Sequence, residues 1–179
     1  RSVGQQLSSE QVIGYVSLSN PPTEMFLHGL MGCRQLWASA YIAFFNAPCL
    51  PELCFSAGNG WLAGLILGDC KHGSPDSDLM NMYRTNCARS ITGQFNYYRS
   101  SLSSNSTQPA AQNILGPENK LQLPVLMIRG KDDAALLGDM FHDFHEYLAR
   151  ARLVEIDDCS HWIQHDAPEV VNRELLDFM

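Results

Sequence analysis

Two adjacent carboxylates and a histidine occupy positions from which a hydrolytic relay works. Asp132 and Asp133 follow the apolar run Val125 to Ile128, and His161 follows a second apolar run, Leu153 to Ile156. An imidazole titrates near neutrality, which suits a general base. A carboxylate on its other nitrogen fixes the tautomer and stabilises the imidazolium. In open parallel α/β sheets, working residues gather at the carboxyl ends of strands. An acid at one such end and a histidine at the next are the two parts of an acid–base relay.

The elements that must position them can be read from the pattern. Pro124 opens the first run and Arg129-Gly130 closes it, as expected of a strand buried on both faces. Met140, Phe144, Tyr147 and Leu148 recur at helical spacing and predict a helix over Met140 to Ala149. Three strands are expected, at roughly 12–18, 124–129 and 153–157. Ser19-Asn20-Pro21-Pro22 stops the first, and Thr23 is a candidate cap for the helical stretch after it. Glu24 to about Phe55 is helical in pattern and rich in aromatics, interrupted by Pro48 and Pro51. Ser74-Pro75-Asp76 starts another helix, and Ile91 to Tyr98 leads into a further one. Ser100 to Thr107 reads as a loop, and Glu169 to Met179 as an amphipathic helix with Val170, Val171, Leu175 and Phe178 inward.

About a hundred residues separate the first strand from the second, too many for a plain crossover. They read as an inserted helical lid. The fold class is therefore α/β, with core segments 1–22 and 119–179 and a cap or lid over 23–118. Three strands alone cannot bury both faces of a parallel sheet. Further strands are expected ahead of residue 1, and the chain opens on Arg1, not Met.

Composition narrows the partners. With 179 residues and 45% hydrophobic content, one domain with a real core is expected. A net charge of −7 argues against nucleic acid or an anionic membrane as the main partner. No apolar run approaches the roughly 20 residues of a membrane span. Cys33, Cys49, Cys54, Cys70, Cys87 and Cys159 lack metal-type spacing, and reduced thiols in a reducing compartment are expected. His142 and His145 are three apart on the predicted helix, but no third ligand accompanies them, so no metal is assigned. His165 is read as a surface or supporting residue, and His72 as a loop residue without a role. Asn105-Ser106-Thr107 spells a glycosylation acceptor and is read as chance.

Four segments resemble the carboxy-terminal half of an α/β-hydrolase of the epoxide hydrolase family. QLWASAYIAFFNAPCLPE, from Gln35, is similar to the family's cap segment, and GQFNYYR, from Gly93, to its second cap motif. IRGKDD resembles the strand end that carries the relay acid, and DDCSHWIQHDAPEVVN the histidine loop with the last helix. The four stand in the family's order. The resemblance implies that an aspartate nucleophile opens an epoxide and forms an ester with the enzyme. Two lid tyrosines then assist the epoxide oxygen, and a histidine held by an acid activates water. Carried over by motif, the tyrosines are Tyr41 and Tyr98, the acid is Asp133 and the base is His161. Asp132 is then solvated, Tyr97 is the rival of Tyr98, and Asp157 and Asp158 shape the histidine loop. Phe44, Phe45, Pro48, Leu50 and Trp162 are expected to line a cavity for a lipophilic epoxide, with water as co-substrate and no cofactor. The implied location is the cytoplasm or the cytosolic face of the endoplasmic reticulum, with membrane contact only through an anchor ahead of residue 1.

One departure matters. The family's nucleophile lies on a Gly-x-Asp-x-Gly elbow, and no such pattern occurs among the 179 residues. The nucleophile is expected shortly before Arg1. The oxyanion-hole His-Gly-x-Pro is read as absent too, with His28-Gly29 a decoy. The chain alone is therefore expected to turn over no epoxide. Two other readings stay open: a haloalkane dehalogenase or esterase on the same fold, and a non-catalytic truncated product.

Overall fold

The computed structural model describes residues 12–72, 76–102 and 115–179. Strand β1 is Tyr15–Leu18, β2 is Leu121–Gly130 and β3 is Leu148–Ile156. They form a parallel sheet in the order β1-β2-β3. Tyr15 pairs with Val125 and Leu18 with Ile128, while Val125 pairs with Ala151 and Gly130 with Ile156. The β2–β3 register slips between Leu121 and Pro124. Pro124 has no N–H to give the ladder, so the irregularity falls where the donor is missing.

Side chains on β2 alternate between two cores, as the period of a strand requires. Val125 and Met127 pack with Met25, Leu136, Met140 and Phe141. Leu126 and Ile128 pack with Cys159, Ile163 and Val171, flanked by Leu175 and Phe178. Both faces are covered, which is why the run reads as continuously apolar. Arg129 is also buried on this strand, bonded to its cross-strand partner Glu155 at 2.5 Å and lying 5.1 Å from the Phe141 ring centre.

Between β1 and β2 runs the helical insertion. It holds α1 (Thr23–Gly29), α2 (Cys33–Ala38), α3 (Ala40–Asn46), α4 (Leu50–Ser56), α5 (Trp61–Leu67) and α6 (Ser77–Leu102). Phe55, Ala63, Ile91 and Phe95 form its own core, with Phe44 and Phe45 packed against it. Met25 of α1 belongs instead to a sheet core. After β3 come α7 (Ile163–Asp166) and α8 (Pro168–Phe178).

Several expectations need correction. The helix over Met140 to Ala149 does not form. Single 3-10 turns at Gly138–Phe141 and Phe144–Glu146 take its place, and β3 begins at Leu148. His142, Asp143 and His145 are weak helix formers, and Leu148 is claimed by pairing with Leu121. Thr23 caps nothing: Pro22 holds the cap position of α1, without a side-chain bond. Asp76 does cap α6, accepting from the Leu79 N–H at 2.7 Å. The two helices expected around residue 90 are present as the two halves of α6, which meet at a kink where Ser90 leaves helical geometry. The Ser90 hydroxyl donates to the Asn86 carbonyl at 3.0 Å, a back-bond that bends helices. Ser103 to Thr107, with the Asn105 acceptor, lies outside the described residues.

Candidate active site

The loops after β2 and β3 interlock through their backbones. The Lys131 N–H donates to the Ile156 carbonyl at 2.9 Å, and the Asp132 N–H to the Cys159 carbonyl at 3.0 Å. Gly130 makes the crossing possible. A Cβ there would land on the carbonyl oxygens of Cys159 and Ser160.

That crossing brings Asp133 to His161. The Asp133 carboxylate is buried, at 3% exposure. Its Oδ1 accepts from the Ala135 and Leu136 N–H groups at 2.8 and 2.9 Å. Its Oδ2 lies 2.8 Å from His161 Nδ1. A carboxylate only accepts, so Nδ1–H is the donor in this contact. The imidazole side chain is 31% exposed, so its far edge is reachable by solvent. Trp162 stands edge-on to it, ring centres 5.2 Å apart, and its indole N–H donates to the Ile66 carbonyl of α5 at 3.0 Å.

Tyr41 on α3 and Tyr98 on α6 meet edge to face at 6.2 Å. Burial first, then Tyr98 and the Asp133 carboxylate, push the Tyr41 phenol up to about 12. Burial, then Tyr97, pushes Tyr98 up as well. Both phenols therefore keep their protons at neutral pH. Tyr97, the rival of Tyr98, is 74% exposed.

Three supporting links escaped the sequence reading. Arg99 forks onto Glu52 at 2.6 and 3.0 Å and also donates to the Ala47 carbonyl at 3.0 Å, tying α6 to α4 beside Tyr98. The only signal was that Glu52 closes one quoted motif and Arg99 the other. Gln35, buried on α2, donates to the Ala135 carbonyl and accepts from the Leu137 N–H, both at 2.9 Å. It fastens α2 to the loop after β2 that holds Asp133. Lys71 pairs with Asp132 and Asp158, and His72 Nε2 lies 2.8 Å from Asp158. Asp132 and His72, set aside earlier, are thus partners of the lid connector.

Other residues fall elsewhere. Phe45 packs among Tyr41, Phe55, Phe95 and Tyr98, Phe44 lies beside it, and Pro48 and Leu50 are exposed. His165 lies edge-on to Tyr83 at 6.3 Å, and His142 and His145 are exposed on separate turns. Asp157 pairs with Lys131 at 2.7 Å. His28 lines an open cleft of about 460 Å³ with Met25, Arg34, Asp139 and Tyr147, and none of Asp133, His161, Tyr41 or Tyr98 lines it. All six cysteines are free. No group of metal-ligating side chains occurs among the described residues, and no helix there is long and apolar enough to cross a membrane. The absence of His-Gly-x-Pro was misread: His72-Gly73-Ser74-Pro75 spells it. Of these four, only His72 is described, shortly after α5, and residues 73–75 are outside the described set.

With this geometry in place, comparison with known proteins is informative. No family model matches the chain. Epoxide hydrolase 3 of Xenopus tropicalis is 29% identical over 94% of this chain and 46% of its own length. Human epoxide hydrolase 4 is 24% identical over 95% of this chain and 47% of its own. An epoxide hydrolase of Bacillus megaterium, solved with an inhibitor, superposes with a TM-score of 0.73 at 20% identity, over 94% of this chain and 61% of that one. The chain is similar to epoxide hydrolases in sequence and in fold. Its fold is a partial α/β-hydrolase fold, three parallel strands with flanking helices. A Salmonella enterica putative acyltransferase superposes equally well, at 0.73, so the fold alone does not choose the chemistry. This epoxide hydrolase-like chain spans about half the length of the curated relatives it matches.

Proposed function

We propose that this chain is the lid and base-bearing part of an epoxide hydrolase that converts lipophilic epoxides to diols through an alkyl-enzyme ester. The phenol pair carries the reading. Two half-buried phenols from different lid helices are a poor halide or acyl site, but they suit an oxygen that becomes an alkoxide. Donors aimed at developing charge in a site shielded from water contribute more than the same donors in solution.

In the first step an aspartate, which none of the four motifs supplies, attacks an epoxide carbon. The carbon–oxygen bond breaks, and the oxygen takes a proton from Tyr41 or Tyr98. In the second step His161 Nε2 removes a proton from water, and the hydroxide adds to the ester carbonyl. The tetrahedral intermediate collapses, the departing alkoxide takes the proton of the newly formed acid, the diol leaves with the carboxylate restored, and the imidazolium proton returns to the phenolate. Asp133 holds the tautomer and stabilises the imidazolium. Residues 23–118 serve as the lid and 1–22 with 119–179 as the core. The free thiols fit action in the cytoplasm or at the cytosolic face of the endoplasmic reticulum.

The deciding experiment uses the full-length protein and a small panel of lipophilic epoxides, with esterase and haloalkane substrates alongside. Diol formation with a trapped alkyl-enzyme ester supports the proposal. Hydrolysis of esters or haloalkanes in its place overturns it. The 179-residue chain by itself is expected to form no diol.

A further inference from the structure

A second buried carboxylate stands beside the relay and has no part in the steps above. Asp166, in α7, is 8% exposed. Its Oδ2 accepts from the Ser160 N–H at 2.7 Å, and Ser160 immediately precedes His161. Its Oδ1 accepts from the Lys71 N–H at 2.6 Å and the His72 N–H at 3.1 Å. Those two residues belong to the connector between α5 and α6, and α6 carries Tyr98. Burial pushes the Asp166 carboxyl up. The bonds from Ser160, His72 and Lys71 outweigh it and hold the group below the usual carboxylate range. Around this anchor, the Lys71 and His72 side chains pair with Asp132 and Asp158 in exposed positions. Exposed pairs of that kind contribute little each. A carboxylate holding three backbone donors is different, because little of it is open to water.

We infer that Asp166 is a positioning residue that couples the lid to the base: one carboxylate holds the backbone ahead of His161 and the backbone of the lid connector, so neither shifts without the other. Its catalytic meaning rests on the reading of His161 as base and Tyr98 as donor. The coupling itself rests on geometry alone, and the test separates the two.

Amide hydrogen exchange on the 179-residue chain reads the coupling without any activity. In the unmodified chain the Ser160, Lys71 and His72 amides are expected to share one opening, with equal protection and equal denaturant dependence. In Asp166→Asn all three should exchange about tenfold faster or more, while the Ala135 and Leu136 amides, held by Asp133, keep their rates. Acceleration at Ser160 alone, or at the connector alone, overturns the coupling, as do unequal openings in the unmodified chain should the variant fail to fold. In the full-length protein, Asp166→Asn should slow ester formation and ester hydrolysis together, per folded molecule. Slowing of hydrolysis alone overturns the inference, because a residue serving only the base loop would do that. If the unmodified full-length protein never forms an ester, the functional reading falls and the exchange data still decide the coupling.

Discussion

The Tyr41 and Tyr98 rings meet edge to face with centres 6.2 Å apart, one on the third lid helix and one on the sixth. Their meeting is a property of the lid fold. It depends on the Arg99–Glu52 fork and on the Phe45 ring, which lies 5.4 Å from Tyr41 and 5.0 Å from Tyr98. If both phenols serve the epoxide oxygen, Tyr41→Phe and Tyr98→Phe should each slow ester formation in the full-length protein by about 10²-fold. Hydrolysis of a preformed ester should be unchanged. Rapid-quench measurement of the two steps checks this, and equal slowing of both would assign the phenols a different role.

His161→Gln should let the alkyl-enzyme ester accumulate, visible by mass spectrometry as a modified protein. Asp133→Asn should act on the same step, slowing ester hydrolysis by about 10²-fold or more, because an amide nitrogen facing Nδ1 favours the wrong tautomer. Normal turnover with no detectable ester in His161→Gln would remove His161 from the water-activating role.

The raised Tyr41 phenol makes a pH prediction with a definite sign. Its folded value, about 12, lies above the ordinary 10. The folded state therefore holds this proton more tightly than the unfolded chain does. Its contribution to stability is complete below pH 10 and is lost as the pH rises toward 12. Denaturant unfolding across that window should show falling stability, and the fall should be smaller in Tyr41→Phe. A phenolate titration should find at least one tyrosine ionising later than the exposed ones.

Gly130→Ala puts a methyl group where two backbone carbonyls already stand. Backbone must move, at a cost of about 2 kcal/mol, read as a lowered denaturation midpoint. The displaced segment is the one that leads into His161, so ester hydrolysis in the full-length protein should slow as well. An unchanged midpoint would mean that the loop crossing is softer than its packing implies.

Arg129 and Glu155 give a prediction that concerns stability alone. Glu155→Ala leaves the Arg129 guanidinium buried without its counter-charge and should cost roughly 1–3 kcal/mol. Arg129→Met, which removes the buried charge and keeps apolar contact with Phe141, should cost less. Equilibrium unfolding of the two variants orders them.

The middle of the sheet was legible because β2 is buried on both faces. Nothing else in the chain has runs like Val125 to Ile128 bounded by proline and glycine; the structure lengthens β2 and β3 at their amino ends, carries β2 on to Gly130, ends β3 at Ile156 and starts β1 only at Tyr15. The segment between them misled for a physical reason. Met140, Phe144, Tyr147 and Leu148 do face the core, but across two tight turns and a strand start, and a helical period counts residues without seeing pairing. Asp133 and His161 stand out because their motifs sit at strand ends, and the structure brings the two side chains to 2.8 Å. Gln35, Lys71 and Asp166 were not, because they act through backbone groups or through partners distant in sequence. No spacing rule records that Leu137 donates to Gln35, or Lys71 to Asp166.

The place of Phe45 between the two tyrosines has a bearing on how such a lid changes its preferences. Because that ring touches both tyrosines, a change there is expected to move both hydroxyls, and the gap between them, at once. A saturation library at this codon would thus sample matched pairs of donor positions, where changes at either tyrosine sample only losses. Enantiomer choice and regiochemistry are the traits such a lever is suited to tune.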